Sequence, residues 1–211
     1  MPTKPIPLIW ILSQIASIWI AAEVGYYIVM PGFGFPTSYN NNPVAIAIYY
    51  AFWIIVSLIT FWHVFECWRP IRTRLHAYGV LILAFAGLVG FTLYVLPPEN
   101  ARFFLPKSID ILLQQILVSA MVLVFRAQNF SMRTIALWSA FLFGGAHLLL
   151  AFWGLPIGYV IQFTASAAAF ALLFPHLILN VPNGLAYSYA LHWLYYATTI
   201  TMGHAFSPYG L

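Results

Sequence analysis

The sequence predicts an all-α integral membrane protein, a bundle of about seven transmembrane helices in a single domain over residues 1–211. Hydrophobic residues make up 63% of the chain, charged residues only 6%, and the mean hydropathy is +0.90. A soluble domain carries about 25% charged residues, so this chain could not cover a water-facing surface. Its apolar runs have the length of about 20 residues that a membrane helix requires. They also lack the alternation of a membrane β-barrel strand.

Seven such runs are separated by short segments rich in proline, glycine, asparagine and charged residues. They are predicted at 8–30, 44–66, 77–97, 109–126, 134–153, 156–180 and 185–205. The first run is about 23 residues long and lacks a small-residue cleavage site, so we interpret it as a retained helix rather than a signal peptide. The single cysteine, Cys67, excludes an internal disulfide and a cysteine-rich metal site.

The basic residues predict how the helices are oriented. Cytoplasmic loops are enriched in Lys and Arg, and three arginines cluster at 69–74. Threading the other runs from a cytoplasmic 69–74 loop places the N-terminus inside and the C-terminus outside. The basic residues then inside are Lys4, Arg69, Arg72, Arg74, Arg126 and Arg133, and those outside are Arg102 and Lys107. A rhodopsin runs the other way and needs a lysine in its last helix, which the run 185–205 lacks.

Ionisable residues within membrane helices are costly and are functional candidates by default. Here they are Glu23, His63, Glu66, His147, His176 and His192, with His204 near the end of the last run. At 1.5 Å of rise per residue, the adjacent glutamines 114–115 lie about 8–9 Å below the outer face. His147 and Glu23 lie at about 9–10 Å from the same face. The simplest explanation of such Gln and His side chains is structural, as hydrogen bonds between helices.

Three polar motifs follow one another along the fourth, fifth and seventh runs. Gln114 and Gln115 are adjacent, Phe143 and His147 have Phe-x-x-x-His spacing, and His192 follows. This order resembles the CPBP family of intramembrane proteases, the CAAX-processing and bacteriocin-processing enzymes. The family has two adjacent glutamates with an arginine four residues on, then Phe-x-x-x-His, then His-x-x-x-Asn or Asp. The resemblance implies a four-helix core at 109–205, preceded by three accessory helices at 1–108.

The departures from the family pattern predict a degenerate site. Glutamine has the shape of glutamate but cannot act as a general base. Ser119 replaces the arginine that would favour an ionised carboxylate, and Tyr196 takes the Asn/Asp position. Glu23 is the carboxylate that could substitute for the lost base, with Asp110 nearer the water.

A second histidine also fits part of the family pattern. His176 and Asn180 satisfy His-x-x-x-Asn, but they lie toward the inner face, away from His147. We therefore prefer His192 as the counterpart of His147, and we expect the glutamines to be hydrogen-bonded toward His147.

The favoured function is a non-enzymatic, membrane-embedded scaffold or accessory subunit that binds lipid or another integral membrane protein. No cofactor or metal is predicted, and the net charge of +4 reflects topology rather than nucleic-acid binding. Small-residue faces at 164–169 and at Ala86 with Gly90 serve internal packing at least as readily as partner binding.

Two alternatives remain open. One is a subunit of an electron-transfer or light-harvesting complex, with haem or chlorophyll held by His63 and His176 or by His147 and His204. The other is an active intramembrane protease that uses an unconventional acid.

Overall fold

The computed structural model describes residues 7–26, 42–68, 73, 75, 77–82, 84, 104–153 and 156–206. Of these, 104, 150, 153 and 197–206 are described by their backbone alone. Most of the third predicted span lies outside these ranges. The residues invoked above that fall outside them are Lys4, Arg69, Arg72, Arg74, Ala86, Gly90 and Arg102.

Within the described ranges the chain is helical and contains no strand, which confirms the predicted all-α class. The helices are α1 (Leu8–Val24), α2 (Pro43–Thr60), α3 (Trp62–Glu66), α4 (Phe104–Ala127), α5 (Met132–Ser139), α6 (Ile157–Asn180) and α7 (Gly184–Phe206). After α5 the chain continues as a π-helical segment, Ala140–Gly144, and a 3₁₀ segment, His147–Trp153.

Among the described residues, four helical stretches are long and apolar enough to cross a membrane. They are Pro43–Thr60, Leu105–Ala127, Met132–Leu149 and Ile157–Asn180. The apolar helix α1 is shorter, at 17 residues. Large apolar side chains cover the outer surface of the bundle; Ile59 is 72% exposed and Phe152 85% exposed. These stretches and this apolar surface support a membrane protein. The number of seven spans and the direction of the termini remain predictions.

Turn chemistry explains where the helices begin and end. The side chain of Asn42 accepts a hydrogen bond from the backbone of Ala45 at the start of α2, and Ser131 caps α5 in the same way. Asn129 and Asn183 have positive φ angles of 61° and 54°, a conformation that asparagine tolerates better than most residues. A Cβ at Gly184 would collide with the carbonyl of Leu177, so only glycine fits there.

Helix α4 is the centre of the bundle, because 83% of its membrane-length stretch is buried against 22% for each of the other three. It packs against every other helix named above. One apolar cluster joins α4 to α1 and α2 and includes Ile18, Tyr50 and Leu117. A second joins it to α5 and α6 and includes Phe125 and Phe174. The polar residues of α4 are thereby held inside the bundle.

Part of the small-residue stretch 164–169 of α6 packs inside the bundle, while Ala165 and Ala169 are exposed. A Cβ built on Gly144 would lie 2.7 Å from the Cβ of Ala168, a distance that real side chains do not reach. Ala167 and Ala171 are buried on the same helix. The π-helical segment therefore approaches α6 closely, and this approach places Phe143 and His147 beside the core.

Candidate functional site

Gln115 lies at the centre of a buried hydrogen-bonded cluster between α4 and α7. Its side chain is 0% exposed. The Ser188 hydroxyl donates to Oε1 over 2.8 Å, and Nε2 bonds to Nδ1 of His192 over 2.9 Å. With Oε1 accepting from Ser188, Nε2 is the donor to His192, so Nδ1 is an acceptor and the ring proton lies on Nε2. We call Gln115, Ser188 and His192 the amide–imidazole cluster.

The expectation that the glutamines are bonded toward His147 is corrected by this geometry. Gln115 bonds to His192, and Nε2 of Gln114 donates to Oδ1 of Asp110 over 3.0 Å. The physical reason is that α4 packs directly on α7, so Gln115 meets α7 rather than the segment of His147. Ser119, in the arginine position, donates to the carbonyl of Gln115 on its own helix over 2.7 Å.

Further hydrogen bonds hold the first half of α7 against the N-terminal end of α4. The Tyr189 hydroxyl donates to the Ser108 carbonyl over 3.1 Å. Nε1 of Trp193 donates to the Ser108 hydroxyl over 2.9 Å. These contacts fix the register of the two helices, which is what brings Gln115 level with His192.

A charged group lies at the same end of α4. Nζ of Lys107 donates to Oδ2 of Asp110 over 2.6 Å, and it lies 4.1 Å from the ring centroid of Tyr196, within the range of a cation–π contact. Asp110 is only 2% exposed. Glu23 of α1 is close enough to interact electrostatically with both Asp110 and Lys107. The carboxylate singled out in the sequence therefore belongs to this group.

Phe143 brings the two predicted histidines together. Its ring centroid lies 5.0 Å from that of His147 and 5.9 Å from that of His192. Nδ1 of His147 donates to the Phe143 carbonyl over 2.8 Å. The ring of Tyr196 lies 5.3 Å from that of His192. Phe143 therefore packs against both His147 and His192.

The other histidines lie elsewhere. His176 is exposed, and its Nδ1 bonds to Nδ2 of Asn180 over 3.3 Å within α6. His63 and Glu66 are exposed on α3. The side chain of His204 lies outside what the structure describes. Among the described residues no group of three or more His, Cys, Asp and Glu could hold a metal ion; a two-histidine haem or chlorophyll site is not tested by that search.

Sequence reasoning missed two members of the site. The sequence predicts that Lys107 lies in a loop, and Ser188 is not among the predicted site residues. Helical spacing could have found both, since residues three and four apart share a face. Lys107, Asp110 and Gln114 are spaced by three and four residues, and Ser188 lies four residues before His192.

In comparisons with known proteins, no family model, no curated protein and no solved structure matches this chain.

Proposed function

We propose that the protein is a multi-pass membrane scaffold or accessory subunit without enzymatic activity, with seven spans, its N-terminus inside and its C-terminus outside. The observation that carries the proposal is Gln115, a fully buried amide whose two ends are bonded to Ser188 and His192. An amide in this position stabilises the packing of α4 on α7 and has no proton-transfer chemistry near neutral pH.

The surroundings of His192 also favour a structural role. Its Nδ1 accepts from Gln115, and the ring is 4% exposed. Three aromatic rings, those of Phe143, Phe174 and Tyr196, lie within 6 Å of its centroid. A general base must reach the water or substrate proton that it removes, and such packing leaves little room for either beside this imidazole.

Kinship with the CPBP proteases is part of the proposal. It is supported by the proximity of Gln115, Phe143, His147 and His192, which come from three separate stretches of sequence. In this interpretation the amides keep the shape of the family's glutamates after the reactive acids are lost. The exposed apolar surface, including Phe52, Trp138 and Phe141, suits lipid or another membrane protein as the partner.

A peptide-hydrolysis assay tests the absence of catalysis. The purified protein is compared with His147→Ala and with His63→Ala, a matched change at an exposed histidine. We expect all three to give the same background rate on a panel of membrane peptides. A wild-type rate at least tenfold above that of His147→Ala, with His63→Ala unchanged, would contradict the proposal.

One observation favours a second candidate, an intramembrane hydrolase with a relocated acid. Asp110 accepts a hydrogen bond from Nε2 of Gln114 over 3.0 Å, and Glu23 lies near Asp110. Either carboxylate would then take over proton transfer. In the same assay this candidate requires that Asp110→Asn or Glu23→Gln abolish a measurable wild-type rate, whereas the favoured proposal has no such rate to lose.

A further inference from the structure

A cavity of about 230 Å³ lies between α1, α4 and the π-helical segment. An engineered apolar cavity of about 150 Å³ stays dry and binds benzene, and this one is larger. Its walls are formed mainly by apolar side chains, among them Leu12, Ile15, Trp19, Leu117, Met121 and Leu142. Such walls do not hold water, and they lose dispersion contacts when nothing lies against them. The cavity therefore suits an apolar occupant.

Gln114 also lines the cavity, but it does not offer its amide oxygen to a ligand. Its Nε2 donates to Oδ1 of Asp110 over 3.0 Å, and its Oε1 is buried with almost no accessible surface. A polar headgroup inside the cavity would give up hydrogen bonds to water that this oxygen could not replace. The part of a molecule that fits here is therefore a hydrocarbon chain.

The cavity opens to the outside of the bundle within the membrane-spanning stretches. Ile20 is 49% exposed and Leu149 is 37% exposed, and both line it. Ile15 and Leu117, which form part of its walls, lie near the middle of α1 and of α4. The middle turns of a spanning helix lie at the depth of the lipid chains. The molecules that can reach this opening are therefore the lipids of the bilayer.

We propose that the cavity binds one acyl chain of a bilayer lipid, which enters sideways beside α1. The volume favours a chain over a helix of a partner protein, because one helical turn about 10 Å wide and 5.4 Å long takes up about 400 Å³. Met121 suits this role, since its flexible thioether adapts to the shape of what it contacts. The inference rests on the proposed function, because it names lipid as a partner of the membrane scaffold.

Photo-cross-linking in a bilayer tests the proposal. The full chain is placed in phosphatidylcholine vesicles doped with a phosphatidylcholine that carries a diazirine near the terminal methyl of one acyl chain. After illumination, the labelled residues are identified by mass spectrometry. Leu117 is 3% exposed and Met121 4% exposed, so they are labelled only when a chain enters the cavity. We call their products the cavity adducts. Phe52, 56% exposed on α2, is the standard for labelling from the lipid-facing surface.

We expect cavity adducts in the wild-type protein, together with adducts on Phe52. Labelling of Phe52 without cavity adducts would overturn the proposal without the use of any variant. The readout is independent of catalysis, because hydrolysis that depends on His147 would refute the proposed function while leaving the cavity adducts in place.

Two alanine-to-leucine variants locate the chain. Ala146 lines the cavity, and Ala146→Leu is expected to lower the ratio of cavity adducts to Phe52 adducts by about tenfold, because leucine takes the space of about three carbon atoms of the chain. Ala165→Leu, the same change at an exposed position of α6, is expected to leave that ratio unchanged. If Ala146→Leu kept the wild-type ratio, or if both variants lowered it equally, the proposed site would be wrong.

Discussion

Replacing Gln115 by leucine tests the amide–imidazole cluster most sharply. Leucine has nearly the volume of glutamine but neither donates nor accepts. The Ser188 hydroxyl can keep a partner, because the Leu185 carbonyl lies 3.1 Å away, so the loss falls mainly on His192. Interhelical hydrogen bonds in membranes are worth about 0.6 kcal/mol on average and up to about 1.7, and a buried group left unpaired costs about 1–3 kcal/mol. We expect Gln115→Leu to lower the free energy of unfolding by about 1–2 kcal/mol.

The free energy is measured by titrating SDS into mixed micelles and following the far-ultraviolet circular dichroism of the chain. Gln162→Leu is the matched control, since Gln162 is exposed on α6. It should change the free energy by no more than about 0.5 kcal/mol, as surface substitutions usually do. If Gln115→Leu and Gln162→Leu lowered the free energy of unfolding equally, the hydrogen bonds of Gln115 would make no measurable contribution to stability.

A double-mutant cycle assigns the loss to a pair of residues. His192→Phe keeps an aromatic ring between its neighbours while removing Nδ1. We expect a coupling free energy of about 1 kcal/mol between positions 115 and 192 and a smaller one between 115 and 188, because Ser188 has its second acceptor. Distant sites are additive within about 0.3–0.5 kcal/mol, so a coupling below that value for 115 and 192 would refute the reasoning.

Three further predictions use the same unfolding measurement. Lys107→Met should lower the free energy of unfolding by about 3–5 kcal/mol, because it leaves the buried carboxylate of Asp110 without its cation. Adding Asp110→Asn should recover part of that loss. No recovery would contradict the ion pair. Gly144→Leu should destabilise the protein strongly, since the added Cβ would lie 2.7 Å from the Cβ of Ala168. Gly145→Ala should be tolerated, because a Cβ at Gly145 has no atom within 4 Å. Similar losses of stability for the two variants would refute the close packing. Asn129→Ala should cost about 1 kcal/mol and Asn129→Gly less, because the residue has a φ of 61°; a neutral alanine would contradict this backbone conformation.

Composition and the spacing of breaks were enough to predict most helices. The run 156–180 agrees with α6 at Ile157–Asn180 and the run 185–205 with α7 at Gly184–Phe206, whereas the run 44–66 is divided at Phe61 into α2 and α3. This success has a simple cause, since hydrophobic length and turn-forming residues are local properties. The change to π-helical geometry at Ala140–Gly144 has no such local signal and depends on the approach of Gly144 to Ala168.

The partners of the site residues were harder to predict, because they depend on which helices are neighbours. The sequence indicated that Gln114, Gln115, His147 and His192 belong together. In the structure Gln115 bonds to His192, and His147 bonds to the Phe143 carbonyl. The sequence could not indicate that Gln115 bonds to α7. Lys107 precedes the predicted run 109–126 and is therefore expected in the outer loop, but α4 begins at Phe104, and three residues of helix are enough to pair Lys107 with Asp110.

The most direct test of the account is the nitrogen NMR spectrum of the protein with ¹⁵N-labelled histidine, with the His192 signals assigned by their loss in His192→Phe. A structural amide that donates from Gln115 requires Nδ1 of His192 to be an unprotonated acceptor and the ring proton to lie on Nε2. We expect that tautomer in the wild-type protein, and we expect the Nδ1 signal to shift in Gln115→Leu. A proton on Nδ1 in the wild type, or a signal indifferent to Gln115→Leu, would contradict the claim that this imidazole is held by the buried amide.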